Sequence, residues 1–278
     1  MLDTMMHASK LLFVILLIPL ISCRTKRAPA APTTDLRPAQ VTFSFVQITD
    51  THLGHGDHDQ RTLAVINAIN TLPYPVDFVV HTGDIFMDNM LEPRLVEKAA
   101  ALFGRLKIPC YFVPGNHDIL TKHPGETRTL FKKHFGPLAK RVIHKGVPLL
   151  FLYTEPLAGG CTFSDYSPLA ALSALAGKNL PHAPLLFHHS PSVPDFYGGK
   201  FHQLWTAKIR RKWAAALKKI GTIAIFAGHF HRDELQYLGD IPLHVAPPVA
   251  SYWGRQATFR VYTYDRGRIT YRNHYIHR

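Results

Sequence analysis

Five short apolar runs, each stopped at once by a turn carrying Asp, Asn or His, constrain this chain more than any other feature. Run 41–49 ends in Asp50-Thr51-His52, run 77–82 in Gly83-Asp84, and run 109–114 in Gly115-Asn116-His117-Asp118. Run 183–188 ends in His188-His189, and run 222–227 in Gly228-His229-Phe230-His231. Segment 60–72 has Leu63, Val65, Ile66, Ile69 and Leu72 at helical spacing, and 91–106 also reads as a helix. The first half is therefore β-α-β-α-β, which calls for a mainly parallel sheet covered by helices. Ligands of such sheets sit at the carboxyl ends of the strands. Packing explains why a buried strand stops at a turn. It does not explain why every one of these turns also carries a metal-ligating side chain type.

The second half alternates less cleanly. A short helix is expected near 126–134, strands at 141–144 and 148–153, and a basic helix at 203–220 whose Trp213 and Leu217 face inward. The tail reads as strands 243–246, 258–264 and 269–276, the last two joined by a hairpin turn at Asp265-Arg266-Gly267.

The chain of 278 residues has 32 Lys+Arg against 19 Asp+Glu, and 18 His. A charge of +13 points to an anionic partner such as a phosphate ester, nucleic acid or an acidic membrane. The 3 Cys are too few for a disulfide framework, and Cys110 and Cys161 are read as unpaired.

Residues 1–22 read as an export signal. The apolar run 11–21 follows Lys10; it is too short to span a bilayer and has the length of a signal core. Leu20-Ile21-Ser22-Cys23 resembles a bacterial lipobox, which makes Cys23 the expected lipidation site. Residues 23–40, with Pro29, Pro32 and Pro38, form the expected tether, and 41–278 the folded domain. The expectation is an exported, periplasmic or cell-envelope lipoprotein held at a membrane by its anchor.

Carboxylate and imidazole donors without a thiol suit zinc, manganese or iron. Two such ions clamp a phosphoryl group and generate hydroxide near neutral pH. Asp84, at the end of the second strand, is the natural bridge between them.

The set D-x-H, G-D, G-N-H-D, H and G-H-x-H resembles the calcineurin-like metallophosphoesterases, over roughly residues 41–245. The resemblance implies an α/β fold, a four-layer α/β/β/α sandwich in a single domain, with two divalent metal ions at one edge. By position, Asp50, His52, Asp84 and His231 are similar to the ligands of one metal. Asp84, Asn116, His188 and His229 are similar to those of the other. His188 is preferred because the family pattern H-x-P puts the ligand first, which leaves His189 facing the pocket as a substrate contact. His117 resembles the group that contacts phosphate and protonates the leaving oxygen, with Asp118 orienting it.

Departures narrow the type. Position 87 is Met, so the iron–tyrosinate centre of purple acid phosphatases is disfavoured, and the G-D-x-x-D-R-G of the Ser/Thr phosphatases is absent. What remains resembles the cyclic-nucleotide and glycerophosphodiester phosphodiesterases. The implied function is hydrolysis of phosphodiesters, with phosphomonoesters second; the substrate is a small anionic ester and nucleic acid is disfavoured. The rival is a non-catalytic metal- or phosphate-binding envelope lipoprotein on the same scaffold. Arg255 could reach a phosphate as a forked donor. Tyr197, Trp205, Tyr252 and Trp253 are expected in the core rather than around a pocket, and 55–59 as a solvated loop.

Overall fold

The computed structural model describes residues 36–177, 180–202 and 205–276. The export signal 1–22 and the lipidation site Cys23 lie outside the described residues. The first strand β1 (Thr42–Ile48) is followed by α1 (His58–Asn70), β2 (Phe78–His81), α2 (Pro93–Phe103), β3 (Cys110–Phe112) and α3 (Pro124–His134). Then come β4 (Ala139–His144), β5 (Val147–Leu152), α4 (Pro168–Ala176), β6 (Leu185–Phe187), α5 (Ala207–Lys219) and β7 (Ala224–Ala227). The chain closes with β8 (Glu234–Leu238), β9 (Ile241–Val245), β10 (Ala257–Asp265) and β11 (Arg268–Ile276).

The strands form two mixed sheets. The first has the order β11-β10-β1-β2-β3, parallel from β1 to β3 and antiparallel at β10 and β11. The second has the order β4-β5-β6-β7-β9-β8, with a parallel centre and antiparallel edges. Because side chains alternate along a strand, each central strand feeds two cores. Phe45 of β1 points to the other sheet, where its ring lies 5.3 Å from that of Phe226. Val46 and Ile48 point the other way, onto Val65 and Ile69 of α1 and Val96 of α2. In the second sheet Phe151 and Phe187 face inward while Leu150 and Leu186 pack with Trp213 and Leu217 of α5. Burial on both faces is why these strands read as unbroken apolar runs. The result is four layers: helices, sheet, sheet, helices.

The Asp265–Arg268 pair closes a two-residue hairpin with Arg266 at φ 49° and Gly267 at φ 91°, the double positive φ that matches strand twist. Helix α4 and strand β8 lie in stretches the sequence left unassigned. Residues 36–40, read as tether, are docked: Arg37 O accepts from Ala183 N at 3.2 Å, Ala39 O accepts from Tyr264 Oη at 3.2 Å, and Ala39 is buried. Cys110 and Cys161 are free thiols.

Buried His244 stacks on Phe226 and meets Tyr262 edge-on. Burial, helped by the Arg260 cation, pushes its pKa down to about 4. Since the folded pKa lies below the unfolded 6.5, its contribution is complete above pH 6.5 and is lost as pH falls from there towards 4. Between pH 7 and 5 this one group should cost roughly 2 kcal/mol of stability, at about 1.4 kcal/mol per pH unit below 6.5. Urea unfolding at both pH values checks it: His244→Phe should lose less stability on acidification than wild type, and an equal loss would refute the assignment.

Candidate metal centre

All five turns converge on one edge of the sandwich, and their backbones are unusual. Asp50, His52, Asp84, His229 and His231 all have positive φ, from 44° to 70°. Left-handed backbone costs a non-glycine residue roughly 1–2 kcal/mol and collects at functional sites. The turns also lie flush against the carboxylates. A Cβ on Gly115 would stand 2.1 Å from Asp84 Oδ1, and one on Gly228 would stand 1.9 Å from Thr49 Oγ1. Only glycine fits at either position.

Two groups of donors could each hold a cation: Asp50 with His52 and His231, and Asp84 with His189 and His229. In each group the donor atoms lie within 4.8 Å of one another. Both carboxylates are held by one oxygen and present the other. Asp50 Oδ2 accepts from Thr49 Oγ1 at 2.8 Å and from His229 N at 3.0 Å, which leaves Oδ1 buried without a hydrogen bond. Asp84 Oδ1 accepts from His117 N at 3.0 Å. Its Oδ2 faces both groups, 3.1 Å from His189 Nε2 and 4.0 Å from His52 Nε2.

The imidazoles are oriented in the same manner. His52 Nδ1 donates to Phe86 O at 3.1 Å and His189 Nδ1 to Thr82 O at 2.7 Å. Each Nε2 lone pair is thereby aimed into the site, the arrangement that backs metal-binding histidines. His52 Nε2 and His231 Nε2 stand 3.2 Å apart, and His231 Nε2 lies 3.3 Å from Asp50 Oδ1. Burial lowers His52 to a pKa of about 4. Against the same burial, the attraction between His189 and the Asp84 carboxylate raises the pKa of the one and lowers that of the other. Burial also raises Asp50 on its own, but His231 holds that carboxyl well below the usual range.

Three sequence expectations are corrected here. His189, not His188, reaches Asp84. His188 points away to the helix side, its ring 6.0 Å from Trp205 and 6.2 Å from Trp213, with neither nitrogen hydrogen-bonded. The strand pleat decides this: Leu186 and His188 share the α5 face, whereas Phe187 and His189 share the other. Asp118 does not orient His117. It is buried and binds the turn backbone, accepting from Gly115 N at 2.8 Å and Phe86 N at 3.0 Å. Burial, with Asp84 nearby, raises it to about 6. His117 Nδ1 pairs instead with Asp88 Oδ1 at 2.9 Å. Despite burial, the Asp84 and Asp88 carboxylates hold His117 above its ordinary pKa. Thirdly, His58 is not in a solvated loop. It is buried, donates to His52 O at 3.1 Å and accepts from Ser251 N at 3.2 Å, which fastens the 251–255 segment to the first turn.

A cavity of about 440 Å³ opens over the two groups, and Asn116, His117 and Tyr252 line it. Asn116 Oδ1 is buried with no hydrogen bond. Glu155, which the sequence did not single out, also lines the cavity; burial raises it to about 7 and it accepts from Ser190 N at 3.1 Å. No turn motif marks it, because it follows β5 in a stretch without a strand-end glycine. Of the four aromatics expected in the core, Trp205 is buried, while Tyr197, Tyr252 and Trp253 line cavities. Arg255 is exposed, at the rim of a neighbouring cavity rather than over the donors.

A probable cyclic nucleotide phosphodiesterase of Fibrobacter succinogenes is 29% identical over 208 residues, 72% of this chain and 77% of that protein. A serine/threonine-protein phosphatase of Mus musculus is 28% identical over 222 residues, 69% of this chain and 70% of that one. A dimetal phosphatase from Danio rerio shares the fold at TM-score 0.56 and 12% identity, over 83% of this chain and 98% of that chain. The model of the calcineurin-like phosphoesterases matches residues 43–233, from β1 through the last histidine turn, and the chain belongs to that family.

Proposed function

We propose that this protein is a dinuclear metal-dependent phosphoesterase that hydrolyses phosphodiesters. The observation that carries the reading is Asp84 Oδ2, one carboxylate oxygen facing imidazole nitrogens of both donor groups. The donor set fits two divalent cations: it is carboxylate and imidazole without thiolate, as manganese, iron and zinc accept. Buried Asp50 Oδ1, Asn116 Oδ1 and His189 Nε2, all without hydrogen bonds, fit as well. Asp50, His52 and His231 would hold one ion, Asn116, His189 and His229 the other, with Asp84 shared. Bound there, the ions would supply Lewis acidity to the phosphoryl group and lower the pKa of the attacking water. The similarity to a protein named as a probable cyclic nucleotide phosphodiesterase supports a diester over a monoester.

The chain's own contribution to the leaving step falls to His117. Asp88 accepts from its Nδ1 and fixes the ring, which leaves Nε2 as the atom that would deliver a proton to the departing oxygen. His117→Ala is expected to lower kcat roughly a hundred- to ten-thousandfold for alkyl diesters. The loss should be smaller for p-nitrophenyl esters, whose leaving group needs no proton. Steady-state kinetics of manganese-loaded protein on both ester types measures this, and an equal loss on both would remove the acid role. Two bound ions per chain with no turnover of any ester would point instead to a non-catalytic binding protein.

We further propose export and lipid attachment at Cys23, supported by the apolar run 11–21 and the Ser22-Cys23 that ends it. Palmitate labelling in a bacterial host should be lost in Cys23→Ser, and labelling that persists would refute the assignment.

A further inference from the structure

Beside the metal cavity lies a second chamber of about 190 Å³. Phe201, His202 and Trp253 line both, so the two adjoin. A whole-ligand pocket usually measures about 300–1,000 Å³, so this chamber has room for only part of such a ligand.

Its walls are flat rings held ready in water. Trp253 is 70% exposed and Phe201 66%, both large aromatics at the mouth of a polar site. Trp253 has φ 55° and ψ 32°, a left-handed backbone for a bulky residue, and its ring meets His231 edge-on at 5.1 Å. Such strain persists where the surroundings impose it, commonly at ligand clamps. Tyr197 is braced by Arg232, which also lines the chamber: its guanidinium lies 4.9 Å from the ring centre and donates to Tyr197 Oη at 2.7 Å, while Glu234 holds Arg232 at 3.3 Å. Buried Phe230 lines the chamber as well, and Arg255 places a cation at the rim.

Pre-positioned, water-exposed aromatic faces are stacking platforms, and stacking one ring on them contributes roughly tenfold or more in affinity. A glycerol or sugar group gains little from such walls. We infer that this chamber is the subsite for the organic group of the ester and selects phosphoesters whose alcohol carries a planar aromatic ring. The inference rests on the phosphoesterase reading of the adjacent cavity. A nucleobase and an aryl ring share this chemistry, and the experiment separates them.

The chain has 3 Trp; Trp205 and Trp213 are buried, so Trp253 is the one open to a quencher. Tryptophan fluorescence therefore reports on the chamber without turnover. AMP or phenyl phosphate is expected to quench it saturably, glycerol 3-phosphate is not, and Trp253→Phe should abolish the signal. Whichever ring-bearing ligand saturates at lower concentration identifies the ring class. In parallel, kcat/KM of manganese-loaded protein is measured on an aromatic diester and on glycerophosphocholine. Their ratio should fall about tenfold in Phe201→Ala and Trp253→Ala and be retained in Trp253→Phe; comparing ratios between variants cancels the difference in leaving group. Absence of saturable quenching overturns the subsite whether or not the diesters are hydrolysed, and where they are hydrolysed an unchanged ratio overturns it as well. Quenching without hydrolysis of any ester keeps the subsite and overturns the phosphoesterase reading.

Discussion

Asp84→Asn is expected to lower phosphodiesterase activity at least roughly a thousandfold and to cut bound metal from two ions per chain to one or none. Asparagine is the informative replacement. It keeps the shape, tolerates the φ of 56°, and retains an oxygen for the His117 amide. What it removes is the charge that faces His52 on one side and His189 on the other. A neutral amide oxygen cannot screen two divalent cations from each other. The folded structure should survive, because buried charge is itself costly without a partner. Metal analysis, kinetics and a thermal melt on one preparation separate these effects. A variant that keeps two ions and more than a tenth of its activity would sink the bridging assignment.

The second large effect separates two adjacent histidines. His189→Gln is expected to cost roughly a hundred- to a thousandfold in kcat and to weaken metal binding, since it removes the Nε2 donor that the Thr82 carbonyl orients beside Asp84. His188→Leu should leave kcat/KM within about threefold of wild type. Its ring is fully buried beside Trp205 and Trp213 with both nitrogens unpartnered. Replacing an unsatisfied buried polar group by an apolar one of similar size is neutral or stabilising. If His188→Leu were the inactive variant, His188 would be the ligand and the geometry would not stand.

That pair also shows how far the sequence could be read. Asp50, His52, Asp84, His229 and His231 were legible because each ends a run whose apolar continuity marks a doubly buried strand. The H-x-P pattern falls on His189-Ser190-Pro191 and not on His188, so the sequence carried this choice, and the phase of β6, set by which of its neighbours faces α5 and which faces the other sheet, agrees with it. A three-residue strand of uniformly large apolar side chains conceals that phase. Asp88 as the partner of His117 was illegible for another reason: the two lie 29 positions apart and meet through a left-handed turn at Asp88. Helix α4 escaped notice because Pro168–Ala176 is nearly all Leu and Ala, with little polar face to give it a period. His58 was misread as solvated because its polar neighbours, Asp57 and Asp59, disguise a side chain that turns inward.

The pairing of β1 with β10 has a consequence in time. Thr42 and Asp265 are hydrogen-bonded across 223 positions. A ribosome adding roughly 5–20 residues per second needs about ten to forty-five seconds to travel that distance. Throughout that interval β1 has an unpaired edge, the kind of surface that recruits stray strands. The N-terminal strands and helices that carry Asp50, Asp84 and Asn116 therefore wait on the last hairpin to be made. The first sheet cannot close until β10 and β11 are in place, so the turns that carry these donors are not fully braced before then.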